Sequence, residues 1–384
     1  MDSNEANQRS PQALLEESIG DWVTAHARSR PASVAFVDGE RRVTWSDFDA
    51  RVGRVAGALA GMGVQKGDKV ALLAQNSIES LEVLFGTVRA GGVIVPLSGL
   101  LTPEILWKLI DDSDSQALFV GDGYEGSVLS IRDRLGKLGS RVVAMDFISS
   151  HFGDYEALLR SAPLPGSVHV EYDDDCNIIY SSGTTGVPKG IAHTQMSRRL
   201  FSFGLSLQFG VDGSTVTIIT TPLYTNGTWM TLFPTVGMGG TTVLMRGFEA
   251  KEFLDLVERE RCTHTFMVPT QISMLLEERD LASRDFSSLR CVISAGSRIA
   301  PEVKREVLQR VTRNLTELYG MTEGIGTVLG PADMEAKLAS VGRPIPGTEI
   351  RIIDDAGRVA AKFMEAQFLE AHHEERKERH RRQK

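Results

Sequence analysis

The sequence predicts an α/β protein with mostly parallel sheets covered by helices. Three observations carry that reading. Helical stripes alternate with short apolar runs along most of the chain, as in βαβ units. The chain has 384 residues, too many for one ordinary core, so roughly two or three folding units are expected. A glycine- and hydroxyl-rich segment, Tyr180 to Gly190, follows directly on the apolar run Ile178-Ile179-Tyr180, as a loop leaving a strand end would.

Residues 1–15 are polar and are expected to be loose. Thr44 and Asp47 are spaced as a capping box ahead of Phe48, Val52, Val55 and Leu59, which share one helical face, and Gly61 and Gly63 end that helix. Val70 to Leu73 then reads as a buried strand. Leu81, Leu84, Phe85 and Val88 form a second stripe that stops at Gly91-Gly92, and Val93-Ile94-Val95 is a strand ended by Pro96. Thr102 and Pro103 have cap and first-turn chemistry for a helix carrying Ile105, Leu109 and Ile110, followed by a strand at Ala117 to Val120. After the glycine segment, Met196, Leu200, Phe203 and Leu207 fall on one helical face. Strands are expected at Val216 to Thr220, Thr241 to Leu244, His264 to Val268, Cys291 to Ser294 and Leu315 to Tyr319, so a second sheet follows.

Bulk properties narrow the function classes. A net charge of −8 argues against general nucleic-acid binding, which usually needs a basic excess. Cys176, Cys262 and Cys291 are widely spaced, without CxxC pairs or nearby histidines, and read as buried free thiols. The N-terminus has no apolar signal core and no run long enough to span a membrane is present, so a cytoplasmic location is expected. Oligomeric state is left open.

The chemistry concentrates between residues 180 and 190. Gly183 and Gly186 allow left-handed turns that bring backbone N–H groups close to an anion. Ser181, Ser182, Thr184 and Thr185 add hydroxyl donors, and Lys189 a point charge on a long stem. This differs from the common ATPase loop, which has four residues between its glycines and a Ser or Thr after the lysine. Here Thr184 and Thr185 alone separate the glycines, and Pro188 and Gly190 flank Lys189. An ordinary solvent loop would rarely combine these features directly after a strand.

The segment resembles the phosphate-binding signature of the adenylate-forming enzymes, the family of acyl- and aryl-CoA synthetases, luciferases and peptide-synthetase adenylation domains. Four further segments resemble that family in order: residues 88–97, Pro222 to Gly227, Thr316 to Glu323, and Val341 to Gly347. The likeness runs from about residue 15 to about residue 357. It implies the fold of the family's large N-terminal domain, with residues 16–340 as two α/β subdomains and residues 341–358 as the start of a β-rich subdomain. It also implies ATP-dependent activation of a small carboxylic acid to an acyl-adenylate, with Mg²⁺ as cofactor and CoA as the acceptor in full-length relatives.

By that resemblance Ser181, Ser182, Gly183, Thr184, Thr185, Gly186 and Lys189 hold the β- and γ-phosphates. Thr322 bonds the α-phosphate and Glu323 binds the metal, with Lys189, Thr322 and Glu323 as the catalytic set. Alone, Thr322 and Glu323 read as a helix start with an acidic first turn. Tyr319 and Gly320 are placed against the adenine, with simple packing as the other reading for Tyr319. Gly296 and Ser297 resemble the nucleotide and acyl contact loop, or form an ordinary strand-to-helix turn. Tyr224, Thr225, Asn226 and Gly227 resemble the acyl-pocket segment. Adenylation domains for amino acids usually carry an aspartate there; none is present, which favours an acid without an α-amino group. Thr225 stands where the family's ligases often have histidine, so no role carries over from that histidine. Trp229, Met230 and Phe233 fit core better than pocket, and His193 reads as structural.

Past Gly357 the pattern stops. Residues 359–384 are dense in Glu, Arg, Lys and His, with high helix propensity and no strand alternation, and read as a divergent charged helical tail. The family's ribose-binding aspartate, hinge and small C-terminal domain cannot be located, so the chain is expected to be truncated, with full two-step activity impaired. The alternative is a nucleotide- or acyl-binding remnant or a regulatory product without turnover.

Overall fold

The computed structural model describes residues 18–160, 168–181, 188–353 and 359. The expected loose N-terminus, Ser182 to Gly186 of the glycine segment, and the charged tail beyond 359 lie outside the described residues. The chain divides into two compact units between Phe248 and Glu249.

In the first unit the chain runs α1 (Ile19–Ser29), β1 (Val34–Asp38), β2 (Arg41–Thr44), α2 (Trp45–Gly61), β3 (Lys69–Leu73), α3 (Ile78–Arg89), β4 (Val93–Pro96) and α4 (Pro103–Asp112). It continues through β5 (Ser115–Val120), β6 (Val142–Ala144), β7 (Gly153–Asp154), β8 (Asp175–Ser181) and β9 (Lys189–Thr194). It ends with α5 (Gln195–Phe209), β10 (Val216–Ile219), α6 (Asn226–Met238) and β11 (Thr241–Leu244). Seven strands form one sheet in the order β7-β6-β5-β3-β4-β8-β9, parallel except for the antiparallel β8–β9 pair. Strands β10, β11 and β1 pair in parallel, and β2 joins β1 antiparallel.

The expected local chemistry is present. Thr44 Oγ1 accepts from the Asp47 N–H at 3.1 Å, and Thr102 caps α4 with Pro103 in its first turn. Gly63 and Gly91, just past α2 and α3, have φ of 79° and 73°, conformations that cost other residues a Cβ clash. Alternate residues of β3 enter two cores. Val70 and Leu72 join one with Phe48, Phe85 and Phe233, while Ala71 and Leu73 join another with Leu106 and Leu109 of α4. Burial on both faces is what turns a parallel strand into a continuous apolar run. Between the two sets of strands α3 is buried almost all round, with Glu79 and Glu82 inside, held by Arg41 at 2.8 Å and Arg51 at 2.6 Å.

One expectation is corrected in its geometry. Helix α5 forms, but Met196, Leu200, Phe203 and Leu207 are exposed, Leu207 by 88%, and the opposite face with Gln195, Arg198, Ser202 and Ser206 is buried. Trp229, Met230 and Phe233 are core.

The second unit runs α7 (Ala250–Glu260), β12 (His264–Met267), α8 (Pro269–Leu276), β13 (Cys291–Ser294), α9 (Pro301–Arg310), β14 (Leu315–Met321), β15 (Gly324–Leu329) and β16 (Arg343–Pro344). Strands β12, β13 and β14 are parallel, whereas β15 and β16 add antiparallel. This is the alternation the sequence predicts, closing in a short antiparallel segment. Gly342, at φ 90°, lies where a Cβ would overlap the Val328 carbonyl, so the turn into β16 requires glycine.

Candidate functional site

Strands β8 and β9 are the two arms of a hairpin. Their register sets Ser181 opposite Lys189 and Tyr180 opposite Gly190, so the two ends of the glycine segment are held side by side with the lysine exposed. Gly190 is explained by packing: a Cβ there would lie 3.0 Å from Ile178 and 3.2 Å from the Tyr180 ring. The Tyr180 hydroxyl donates to Asp112 at 2.5 Å and lies 3.2 Å from the Leu109 carbonyl, anchoring the hairpin on α4. Burial and the Asp112 carboxylate both push that phenol's pKa up.

Tyr224 and Thr225 lead into α6, Asn226 and Gly227 are its first two residues, and all four are half-buried. Asn76, 2% exposed in the turn before α3, holds this segment. Its amide donates to the Thr221 and Met245 carbonyls, both at 3.0 Å, and its carbonyl oxygen accepts from the Leu223 N–H at 3.0 Å. Trp229 Nε1 adds a bond to the Leu223 carbonyl at 2.6 Å, and Thr225 Oγ1 donates to the Pro222 carbonyl at 2.9 Å. Thr225 is thus occupied in shaping the turn.

Arg198 ties the hairpin to this segment. From its position on α5, Nε donates to Asn177 Oδ1 on β8 at 2.7 Å, and Nη1 donates to Asn226 Oδ1 at 2.9 Å. Its Nη2 lies 3.2 Å from His193 Nδ1 on β9, and the guanidinium stacks 4.8 Å over the Trp229 ring. Burial lowers its pKa to about 10. The histidine read as structural from sequence is part of this cluster.

In the second unit, β13 and β14 are parallel with Ser294 opposite Glu317, so Gly296 and Ser297, just after β13, lie at the same strand end as the motif closing β14. Carboxyl ends of parallel strands are where α/β sheets place ligands. Gly296 has φ 92°, and both residues are exposed. Tyr319 is 44% exposed at the end of β14, beside an irregularity in register at Gly320. Thr322 and Glu323 are the two-residue turn between β14 and β15, the tip of a hairpin and not a helix start. Glu323 is exposed there. A buried ion pair holds the arrangement: Lys304 on α9 meets Glu317 on β14, each 1% exposed, and Glu317 Oε1 accepts from the Ile299 N–H at 3.0 Å.

Sequence reasoning missed Asn76, Asn177, Arg198, Lys304 and Glu317. Glu317 sits inside a recognised motif, which was its one available signal. The others are polar side chains whose partners lie far along the chain. Among the described residues no group of three His, Cys, Asp or Glu side chains clusters as a metal cage, and no described helix is long and apolar enough to cross a membrane.

Known proteins agree with this architecture. The profile of the family "AMP-binding enzyme" matches residues 23–363. Indoleacetate–CoA ligase of Aromatoleum aromaticum is 32% identical over 345 residues, covering 88% of this chain and 67% of that protein. Feruloyl-CoA synthase of an Amycolatopsis species is 30% identical, covering 90% and 68%. Among solved structures, the anthranilate CoA ligase AuaEII with anthranoyl-AMP superposes with a TM-score of 0.82 at 25% identity, covering 92% of this chain and 69% of that one. The N-terminal domain of FACL13 from Mycobacterium tuberculosis superposes with a TM-score of 0.80 at 25% identity, covering 90% and 86%. The resemblance seen in the motifs holds over most of the chain, and the protein belongs to the AMP-binding enzyme family of adenylate-forming enzymes.

Proposed function

We propose that this chain activates a small carboxylic acid with ATP and that the acyl group then passes to coenzyme A, whose thiolate bonds the acyl carbon as AMP leaves with its electron pair. A carboxylate oxygen attacks the α-phosphorus, the bond from that phosphorus to the oxygen bridging the α- and β-phosphates breaks, and pyrophosphate leaves with its electron pair. The barrier is one of charge and alignment, so the protein's task is to neutralise phosphate oxygens and hold the nucleophile in line. The observation that supports this reading is the register pairing Ser181 with Lys189, which holds a cation beside the residue that opens the hydroxyl- and glycine-rich segment.

In this reading Ser181 to Gly186 and Lys189 bind the β- and γ-phosphates, Thr322 bonds the α-phosphate, and Tyr319 and Gly320 meet the adenine. Gly296 and Ser297 contact nucleotide and acyl group. Tyr224 to Gly227 line the acid's site, where the absence of a carboxylate speaks for an acid without an α-ammonium. Glu323 is an exposed hard-oxygen donor on a hairpin tip, suited to Mg²⁺, which commonly takes one or two carboxylates and completes its shell from phosphates and water. When bound, the ion neutralises phosphate charge. Three buried free thiols fit a reducing, cytoplasmic compartment.

The test is pyrophosphate release with ATP, Mg²⁺ and a panel of carboxylic acids. Acid-dependent release that disappears in Lys189→Ala supports the reading. ATP binding without release for any acid refutes it and supports a nucleotide-binding role without turnover.

A further inference from the structure

We propose that Arg198 recognises a second carboxylate on the acid, so that the preferred substrate carries an anionic group besides the one activated. The inference rests on the reading of Tyr224 to Gly227 as the acid's site. Arg198 is 1% exposed, yet it has no carboxylate partner among the described residues. Its partners are two side-chain amides and an imidazole nitrogen, which accepts from a guanidinium only when unprotonated. A buried cation with neutral acceptors alone has given up its hydration without a compensating charge. The local charge balance is completed by an anion.

The position says which anion. Asn226, which accepts from Nη1, belongs to the segment assigned to the acid, and both Asn226 and His193, the guanidinium's neighbours, are half-buried. A carboxylate that displaces the Asn226 oxygen exchanges a neutral acceptor for a charged one and can use two N–H groups of the planar fork at once. The bonds to Asn177, Asn226 and His193 use three of the five guanidinium N–H groups, leaving two for that contact. The Trp229 face beneath the guanidinium keeps it from turning away.

A purely structural arginine, tying β8 and β9 to α6, predicts different behaviour, and Asn226→Asp separates the two. That variant puts a carboxylate on the guanidinium from within. If Arg198 is only a tie, the contact strengthens and wild type shows no diacid preference for the variant to remove. If Arg198 binds substrate, the internal carboxylate occupies it and preference for diacids is lost while the fold is kept.

The experiment titrates wild type, Asn226→Asp, Arg198→Lys and Arg198→Met by calorimetry. The ligands are matched pairs of monocarboxylic acids and their ω-carboxy or ring-carboxy counterparts, aliphatic and aromatic, and pyrophosphate release is measured in parallel. In wild type at least one dicarboxylate binds about tenfold or more tightly than its matched partner, the scale of a charge-assisted pair. That ratio falls to within about twofold in Asn226→Asp and Arg198→Met, and Arg198→Lys lies between, because a point charge replaces the fork. Absence of any such preference in wild type, or its survival in Asn226→Asp, overturns the proposal; should Arg198→Met fail to fold, Asn226→Asp decides. Tight, Arg198-dependent diacid binding without pyrophosphate release refutes the proposed reaction and keeps the carboxylate site. Release with monocarboxylic acids and no diacid preference does the reverse.

Discussion

Replacing Lys304 with methionine should loosen the strand that carries the Tyr319 to Glu323 motif. Lys304 Nζ pairs with Glu317 and donates to the Leu338 carbonyl at 2.6 Å and the Ser340 carbonyl at 3.1 Å, and both members of the pair are 1% exposed. Methionine fills much of the volume but leaves the Glu317 carboxylate buried, with the Ile299 N–H as its remaining donor. Removing one member of a buried pair costs about 3–5 kcal/mol, a large share of the ~5–15 kcal/mol that stabilises a typical domain. The probe must be local. All four tryptophans, Trp22, Trp45, Trp107 and Trp229, precede Phe248, so their emission reports on the first unit. Amide hydrogen exchange on peptides covering Leu315 to Met321 is the suitable measurement. Exchange there should accelerate by about a hundred- to several-thousand-fold, the equivalent of that free energy. The double variant Lys304→Met/Glu317→Gln should recover more than half of the loss, because the glutamine oxygen still accepts from Ile299 and no charge is stranded. Exchange within about threefold of wild type in Lys304→Met, or a double variant no better than the single, would refute the reasoning.

Asn76→Ala removes three buried hydrogen bonds that fix Thr221 to Leu223 and Met245, at about 1–3 kcal/mol for each group left unsatisfied; in acid-activation kinetics KM for the acid should rise more than KM for ATP. Burial pushes the thiols of Cys176 and Cys262 up to about 12 and that of Cys291 up to about 11, so a thiol-specific reagent at neutral pH should label the folded protein far more slowly than the urea-unfolded chain. Burial alone would raise Glu79 above its ordinary 4.5, but the Arg41 hydrogen bond and its other donors together hold it lower. A carboxyl with a depressed folded pKa contributes stability that is present above the unfolded value and lost as pH falls through the folded one. Glu79→Gln should therefore flatten the fall of Tm below about pH 4.5, and an unchanged acid limb would contradict the assignment. Glu82, raised above 4.5 by burial against the pull of Arg51, contributes in the opposite sense, so the single variant and not the wild-type profile isolates Glu79.

The fold was legible wherever local chemistry and tertiary demand agree. Thr44 and Thr102 cap because a hydroxyl acceptor at a helix start serves any helix, whatever packs on it. The strand Val70 to Leu73 is apolar because both its faces are covered, and that burial shows in four consecutive letters. The hairpin around the glycine segment was half legible: its strand and its lysine could be read, whereas the pairing of Ser181 with Lys189 is a matter of register. Thr322 and Glu323 show the limit of local reading. A Thr-Glu dipeptide after a strand fits a helix start as well as a hairpin tip, and the choice was made by β15 pairing back on β14 from Gly324 onward.

Helix α5 shows why the candidate site itself was harder to see. Met196, Leu200, Phe203 and Leu207 repeat at helical spacing, and apolar periodicity assigns such a stripe to the core. The helix instead turns Gln195, Arg198, Ser202 and Ser206 inward together with Leu205 and Phe209, and these polar side chains are hydrogen-bonded except at the Gln195 amide nitrogen. Gln195 Oε1 accepts from the Ile19 N–H at 3.2 Å, and Ser202 and Ser206 donate to the carbonyls of Arg198 and Ser202 one turn earlier, at 2.6 and 2.8 Å. Arg198 reaches Asn177 and Asn226, 21 residues before it and 28 after it. A hydropathy pattern counts none of these bonds, since it treats each polar residue as if its alternative were always water. The buried face of the helix is mixed, Leu205 and Phe209 beside Arg198, and from it Gln195 and Arg198 bond outside the helix. Reversing that face by Arg198→Leu should leave Asn177 and Asn226 without their donor and lower stability even though an apolar residue replaces a charged one; a higher Tm for Arg198→Leu would show that packing alone sets the orientation.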